Sequence, residues 1–304
     1  MSEETRTDLR TADAFVTVEG ILSEKKLEEV VGDDGKRTIR GTVTVKVDDT
    51  NFVTLNVWVN EVTAKGAVNN AFAGMQTVMN EYQSIAEVGE EAATRVFCKR
   101  GQLQPNSYVN REDLMIRTGV RYSASYLTRV APGAFSPRAE FEVEAYINTM
   151  IEETDKEGQP TGRIKMGLFV PTYRGVEPLE VIVPEEIAEA FDSTFERTQT
   201  TKIYGTILSG AIVKEKVIKL VVGGERKEKS TTWINELQAT GATAAYEEEL
   251  EFATEAIQKA LVERDLRLQK EKETAAEAKK KGSAATTATS TGRPLPKFSG
   301  FANM

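Results

Sequence analysis

Between Lys36 and Asn60 the chain reads KRTIRGTVTVKVDDTNFVTLNVWVN, two runs of strict alternation about an Asp48-Asp49-Thr50-Asn51 turn. Side chains on a strand alternate with a period of two, so a slip of one residue would turn every apolar group to water. Ile39, Val43, Val45 and Val47 share one face of the first run, and Val53, Leu55, Val57 and Val59 share one face of the second. That face has to be buried. The other face carries Arg40, Thr42, Thr44 and Lys46, then Phe52, Thr54, Asn56, Trp58 and Asn60, a set that no core would hold. Cations for phosphates and open π-faces for unstacked bases are what an unpaired nucleic-acid strand requires of a surface. Arg40, Lys46, Phe52, Asn56 and Trp58 are therefore candidate recognition residues.

The 304 residues provide for two ordinary domains and a tail. A net charge of −8 argues against a protein that grips duplex DNA over its whole surface, but leaves room for a local basic groove. With one cysteine and no histidine, disulfide frameworks and Cys/His zinc sites are excluded by inventory, and Cys98 reads as a small core residue. No apolar run approaches the roughly 18 residues of a membrane span, and the polar start MSEETRTDLR is unlike a signal peptide, so the expected location is cytoplasmic, in a host cell if the chain is viral. There is no P-loop, no GxGxxG and no nucleophile with a base beside it, which points away from an enzyme and from any cofactor or metal. Of the acidic clusters Glu90-Glu91, Glu185-Glu186 and Glu247 to Glu249, two read as complements to helix starts.

In chain order, a polar arm over 1–12 precedes a first unit over 13–131. Phe15 to Leu22 alternates as a first strand, and Glu24 to Lys36 reads as a charged connection to the hairpin. Val68 to Ala93 has helical spacing ending at Gly89, with Phe72, Met75, Val78, Met79, Tyr82 and Ile85 on one side. Arg95 to Gln104 returns to alternation with Arg95, Phe97 and Lys99 facing outward, and Leu114 to Val130 forms the last strand region, contributing Arg117, Arg121 and Tyr122 to the candidate surface. Residues 132–138 form a linker.

The same order of elements recurs over 139–240. Phe141 to Ile147 echoes the first strand, and Arg163 to Tyr173 repeats the two-faced pattern with Arg163, Lys165, Phe169 and Tyr173 outward. Leu179 to Val183 is a third strand and Pro184 to Arg197 a helix. Thr201 to Ile212 is a fourth strand with Lys202 and Tyr204 outward. Val217 to Val222 and Ser230 to Leu237 close the unit around Gly223-Gly224. The fold class expected is mostly β, two five-stranded units each with an inserted helix, followed by a long helix over 241–282 and a flexible tail over 283–304. The helix carries Tyr246, Leu250, Ala253, Ile257, Leu261 and Leu268 in a stripe that wants a partner, either the second unit or another copy of the chain.

Three strands, a helix and two strands, given twice, resemble tandem OB-fold single-stranded DNA-binding proteins, and among these the bacteriophage-type replication and recombination proteins, over residues 13 to 240. The resemblance implies that nucleic acid meets the hairpin face and the connections Glu24 to Lys36 and Pro105 to Arg111, and that the chain serves DNA replication, recombination or repair. It also implies a protein-docking tail, for which Phe298 and Phe301 are the candidates, although Arg293 and Lys297 depart from the acidic tails of those proteins. Two other readings fit the residues: a virion or scaffold component that uses the barrels and helix for protein contacts, and an RNA-binding OB protein.

Overall fold

The alternating run forms a hairpin in which β2 (Arg37–Lys46) and β3 (Phe52–Asn60) pair antiparallel from Thr38 opposite Asn60 to Lys46 opposite Phe52. Its turn is held by Asp48, whose carboxylate accepts from the backbone N–H groups of Thr50 and Asn51. The computed structural model describes residues 9–219, 225–247 and 249–287. It is mostly β, with one large sheet, few helices and a long C-terminal helix.

Before the hairpin lies β1 (Ala14–Val31). After it come α1 (Asn70–Glu81), α2 (Ile85–Val88), β4 (Arg95–Val109), β5 (Ile116–Ser123) and the short β6 (Thr128–Arg129). The second half contains β7 (Arg138–Thr154), β8 (Pro160–Thr172), β9 (Gly175–Val183), α3 (Glu185–Thr194), β10 (Thr200–Lys219) and β11 (Glu225–Ala242), and the chain continues into α4 (Thr254–Thr287). Pairing in the first half runs β1–β2–β3–β5–β4 and returns to β1. In the second half it runs β7–β8–β9–β11–β10 and returns to β7. In each circuit one join is a short parallel one, β3 with β5 or β9 with β11, and the others are antiparallel. A helix stands between the third and fourth strands both times.

The halves are joined where Ala14–Glu19 of β1 pairs with Arg138–Val143 of β7, making a single sheet of 11 strands. A second join comes from the hairpin turn. Asn51, 6% exposed, donates from Nδ2 to the Ile207 carbonyl at 2.8 Å and accepts at Oδ1 from the Ser209 N–H at 2.9 Å. Gly210 faces this turn so closely that a Cβ would lie 1.6 Å from the Thr50 carbonyl oxygen, so only glycine fits there. Both halves feed one apolar core, from Val16, Ile39, Leu55 and Met75 to Ile147, Met166, Leu168 and Ile207.

Several boundaries differ from those expected. β1 continues through Glu24 to Val31, because this segment pairs with β2 row by row and Glu28–Arg40 and Glu29–Arg37 ion pairs cross the strands. With Leu27 packed against the core but flanked on that face by Lys25 and Glu29, it lacks the apolar alternation that marks a strand in sequence. Pro105 to Val109 likewise belongs to β4 and not to a connection, and the region after Leu114 splits into β5 and β6. The helical span after Val68 is two helices; the second carries a capping box between Ser84 and Glu87 and ends on Gly89. The helix after Pro184 stops at Thr194. Val217 to Lys219 extends β10, so β10 and β11 form one long hairpin, and Gly223-Gly224 lies outside the described residues.

α4 begins at Thr254 and not at Ala242. The segment before it is tied down irregularly: the Tyr246 hydroxyl donates to Glu144, and the Phe252 N–H donates to the Thr200 hydroxyl with Phe252 1% exposed. The helix then lies back on the body, burying Ile257, Ala260 and Leu268, and Arg267 pairs at 2.6 Å with the buried Glu177. Ser283 to Thr287, expected in the flexible tail, belong to α4.

Cys98 is 2% exposed, and burial pushes its thiol up to about 11. A disulfide-exchange reagent at neutral pH should leave it untouched in the native chain and label it fully in denaturant. Fast native labelling would contradict its place in the core.

Candidate nucleic-acid interface

The hairpin presents its polar face to water as the alternation requires. Trp58 is 66% exposed on β3 and stands directly opposite Arg40, with Asn56 opposite Thr42 and Thr54 hydroxyl-bonded to Thr44 beside it. The exposed indole, near the end of β3, offers a large flat face. Asn56 donates to the Tyr122 carbonyl, which fixes its amide at the edge of the same surface. Phe52, at the far end, is only half exposed.

The expected cations are present but mostly engaged. Arg40 pairs with Glu28 at 2.7 Å, Lys46 with Asp49 and Glu90 at 2.8 Å each, Arg117 with Asp113, Arg163 with Glu153 and Glu236, Lys165 with Glu153, and Lys202 with Asp13. Hydrogen bonds that the Lys46 ammonium donates to Asp49 and Glu90 raise it above its ordinary range. Glu90 thus serves Lys46, and of the three acidic clusters only Glu185-Glu186 lies in the first turn of a helix. Arg95 lies over the Phe135 ring, while Lys99 and Arg121 are exposed and make no ion pair among the described residues.

Some expected aromatics are not open platforms. Tyr122 is 7% exposed and belongs to the core; burial pushes its phenol up to about 12. It follows Arg121 directly, so the pleat sends the two to opposite faces, and only Arg121 reaches solvent. Phe97 is half-buried with the Arg138 guanidinium over its ring at 5.2 Å. The second half is not a copy of the first in this respect. Phe169 packs against the core beside Tyr146, with ring centroids 6.4 Å apart, and Ile182, opposite Lys165, is 3% exposed. Tyr173, 77% exposed, and Tyr204, 39% exposed, remain open. Phe298 and Phe301 lie outside the described residues.

Sequence reasoning missed a recess at the seam of the halves. Phe15, Lys99, Arg100, Glu140, Glu142 and Tyr204 line a cavity of about 470 Å³, with the Arg100 guanidinium carbon 3.8 Å over the Phe15 ring. Only the registers of β4, β1, β7 and β10 bring these residues together. Among the described residues no group of His, Cys, Asp and Glu is arranged to hold a metal ion, and no helix is long and apolar enough to cross a membrane.

A family model described as YorF matches residues 14–274, which covers both strand circuits and most of α4. The chain belongs to the YorF family. No curated protein matches this YorF-family chain. Among solved structures it is similar to the wild-type single-stranded DNA-binding protein of Thermus aquaticus, at 12% identity and a TM-score of 0.45, covering 81% of this chain and 99% of that one. A deletion mutant of the same Thermus aquaticus protein aligns at 13% identity and a TM-score of 0.44, covering 81% and 98%.

Proposed function

We propose that this YorF-family chain is a non-enzymatic protein that binds single-stranded DNA with little overall sequence selectivity, in replication, recombination or repair. In this reading each strand circuit is an OB-like barrel, and the outer face of β2 and β3 is the primary binding surface. The observation that carries it is Trp58, an exposed indole set opposite a cation and between amides, where a base can stack and a phosphate can be held.

The ion pairs on that face are compatible with this use. Exposed pairs such as Arg40 with Glu28 contribute about 0–1 kcal/mol, so a phosphate can compete for the cation. The distal part of the β10–β11 hairpin is rich in cations by sequence. Its sequence carries Lys214, Lys216, Lys219, Arg226, Lys227 and Lys229 against Glu215, Glu225 and Glu228. The second half, with Phe169 and Ile182 packed, offers Tyr173, Tyr204 and Trp233 as its open rings instead.

Both tryptophans, Trp58 and Trp233, are exposed, so the reading is testable by intrinsic fluorescence. Titration with oligo-dT should quench the emission in a saturable way, and Trp58→Ala should remove a large part of the quench. Unchanged emission in an excess of oligo-dT would contradict stacking.

A further inference from the structure

Where the two halves meet, β1, β7 and β10 run side by side, and their registers place Phe15 opposite Glu142 and Glu142 opposite Tyr204. Adjacent strands lie about 4.8 Å apart, so the two ring-bearing residues stand about 10 Å apart with a carboxylate between them. Together with Lys99, Arg100 and Glu140 they line the recess of about 470 Å³, within the range of about 300–1,000 Å³ usual for small-ligand sites.

Each wall has a chemistry. On one side the Arg100 guanidinium rests on Phe15, a cationic plane backed by a ring, on which a nucleobase stacks well. On the other side stands Tyr204, 39% exposed. Glu142 forms the floor, and among the described residues its carboxylate makes no ion pair and no side-chain hydrogen bond. Lys99, exposed beside it, is free to meet a phosphate. A carboxylate between two stacking walls selects by hydrogen-bond pattern, because it only accepts.

We propose that this recess is a base-reading pocket that takes one guanine of a bound single strand. This rests on the single-stranded DNA reading above and goes beyond it by giving one position on the path a base preference. Guanine presents N1–H and N2–H side by side, a pair of donors that matches the two oxygens of one carboxylate. Thymine presents a single N–H flanked by two carbonyls, whose oxygens would face the carboxylate unfavourably. A half-buried carboxylate that a seated base covers without giving it two donors is the source of the discrimination.

The test is fluorescence anisotropy of the full chain with two labelled strands of equal length, oligo-dT and an alternating dT/dG sequence, using the parent, Glu142→Gln and Tyr204→Leu. The parent should bind the dG-containing strand about tenfold or more tighter. Glu142→Gln should lose that preference while keeping its oligo-dT affinity, and Tyr204→Leu should bind both strands more weakly, with both variants melting as the parent does. Equal affinities in the parent, or a preference that survives Glu142→Gln, would overturn the pocket and leave the broader reading standing. Failure of the parent to bind either strand would overturn both.

Discussion

Replacing Trp58 by alanine should weaken binding to oligo-dT by about 1–3 kcal/mol, roughly five- to 150-fold, while leaving the melting temperature almost unchanged. The two halves of this expectation come from the same fact. With two thirds of its surface in water, the indole contributes little to the core, and substitutions at such sites usually stay within about 0.5 kcal/mol. Its neighbours Val57 and Val59, both 3% exposed, hold β3 in place without it. If the variant binds oligo-dT like the parent, no base stacks there; if instead it melts many degrees lower, the indole belongs to packing.

The second large effect concerns stability. Asn51→Ala should destabilise the chain by about 2–4 kcal/mol in urea unfolding, because it removes both partners of a buried backbone pair, the Ile207 carbonyl and the Ser209 N–H. Each orphaned group costs about 1–3 kcal/mol. Asn51 does more than complete a turn. It fastens the first half's hairpin to β10 of the second, at the point where Gly210 admits the Thr50 backbone. The variant should therefore also lose oligo-dT affinity in proportion to any displacement of the hairpin. An unchanged urea midpoint would mean that this junction holds nothing.

What could be read from the residues follows the physics of alternation. Val43, Val45, Val53 and Leu55 had to be inside once the period was seen, and all four are fully buried. The exposure of Trp58 followed from the same rule. The second half of β1 was not legible, since a ribbon with one core-packed apolar residue, Leu27, is held mainly by backbone bonds and cross-strand charges such as Glu28 with Arg40, not by an apolar period. The start of α4 was not legible either. Ala242 to Ala253 has good helical composition, but the contacts of Tyr246 and Phe252 with β7 and β10 override local propensity.

The candidate surface shows the same division. Assigning Tyr122 to it beside Arg121 ignored the pleat, a signal present in the sequence itself. That Arg163 turns to Glu236 and Lys202 to Asp13 depends on contacts between residues far apart in sequence, as does the meeting of Phe15, Glu142 and Tyr204. Pairing arithmetic along one strand cannot supply them.

The most direct test of the central claim is competition anisotropy, with labelled oligo-dT on the chain displaced by unlabelled single strand or by duplex of equal length, over a series of salt concentrations. The single strand should compete far better than the duplex, and log affinity should fall linearly with log salt as phosphate-bound counterions are released. Equal competition by duplex, or an affinity indifferent to salt, would contradict a surface built to hold unpaired DNA.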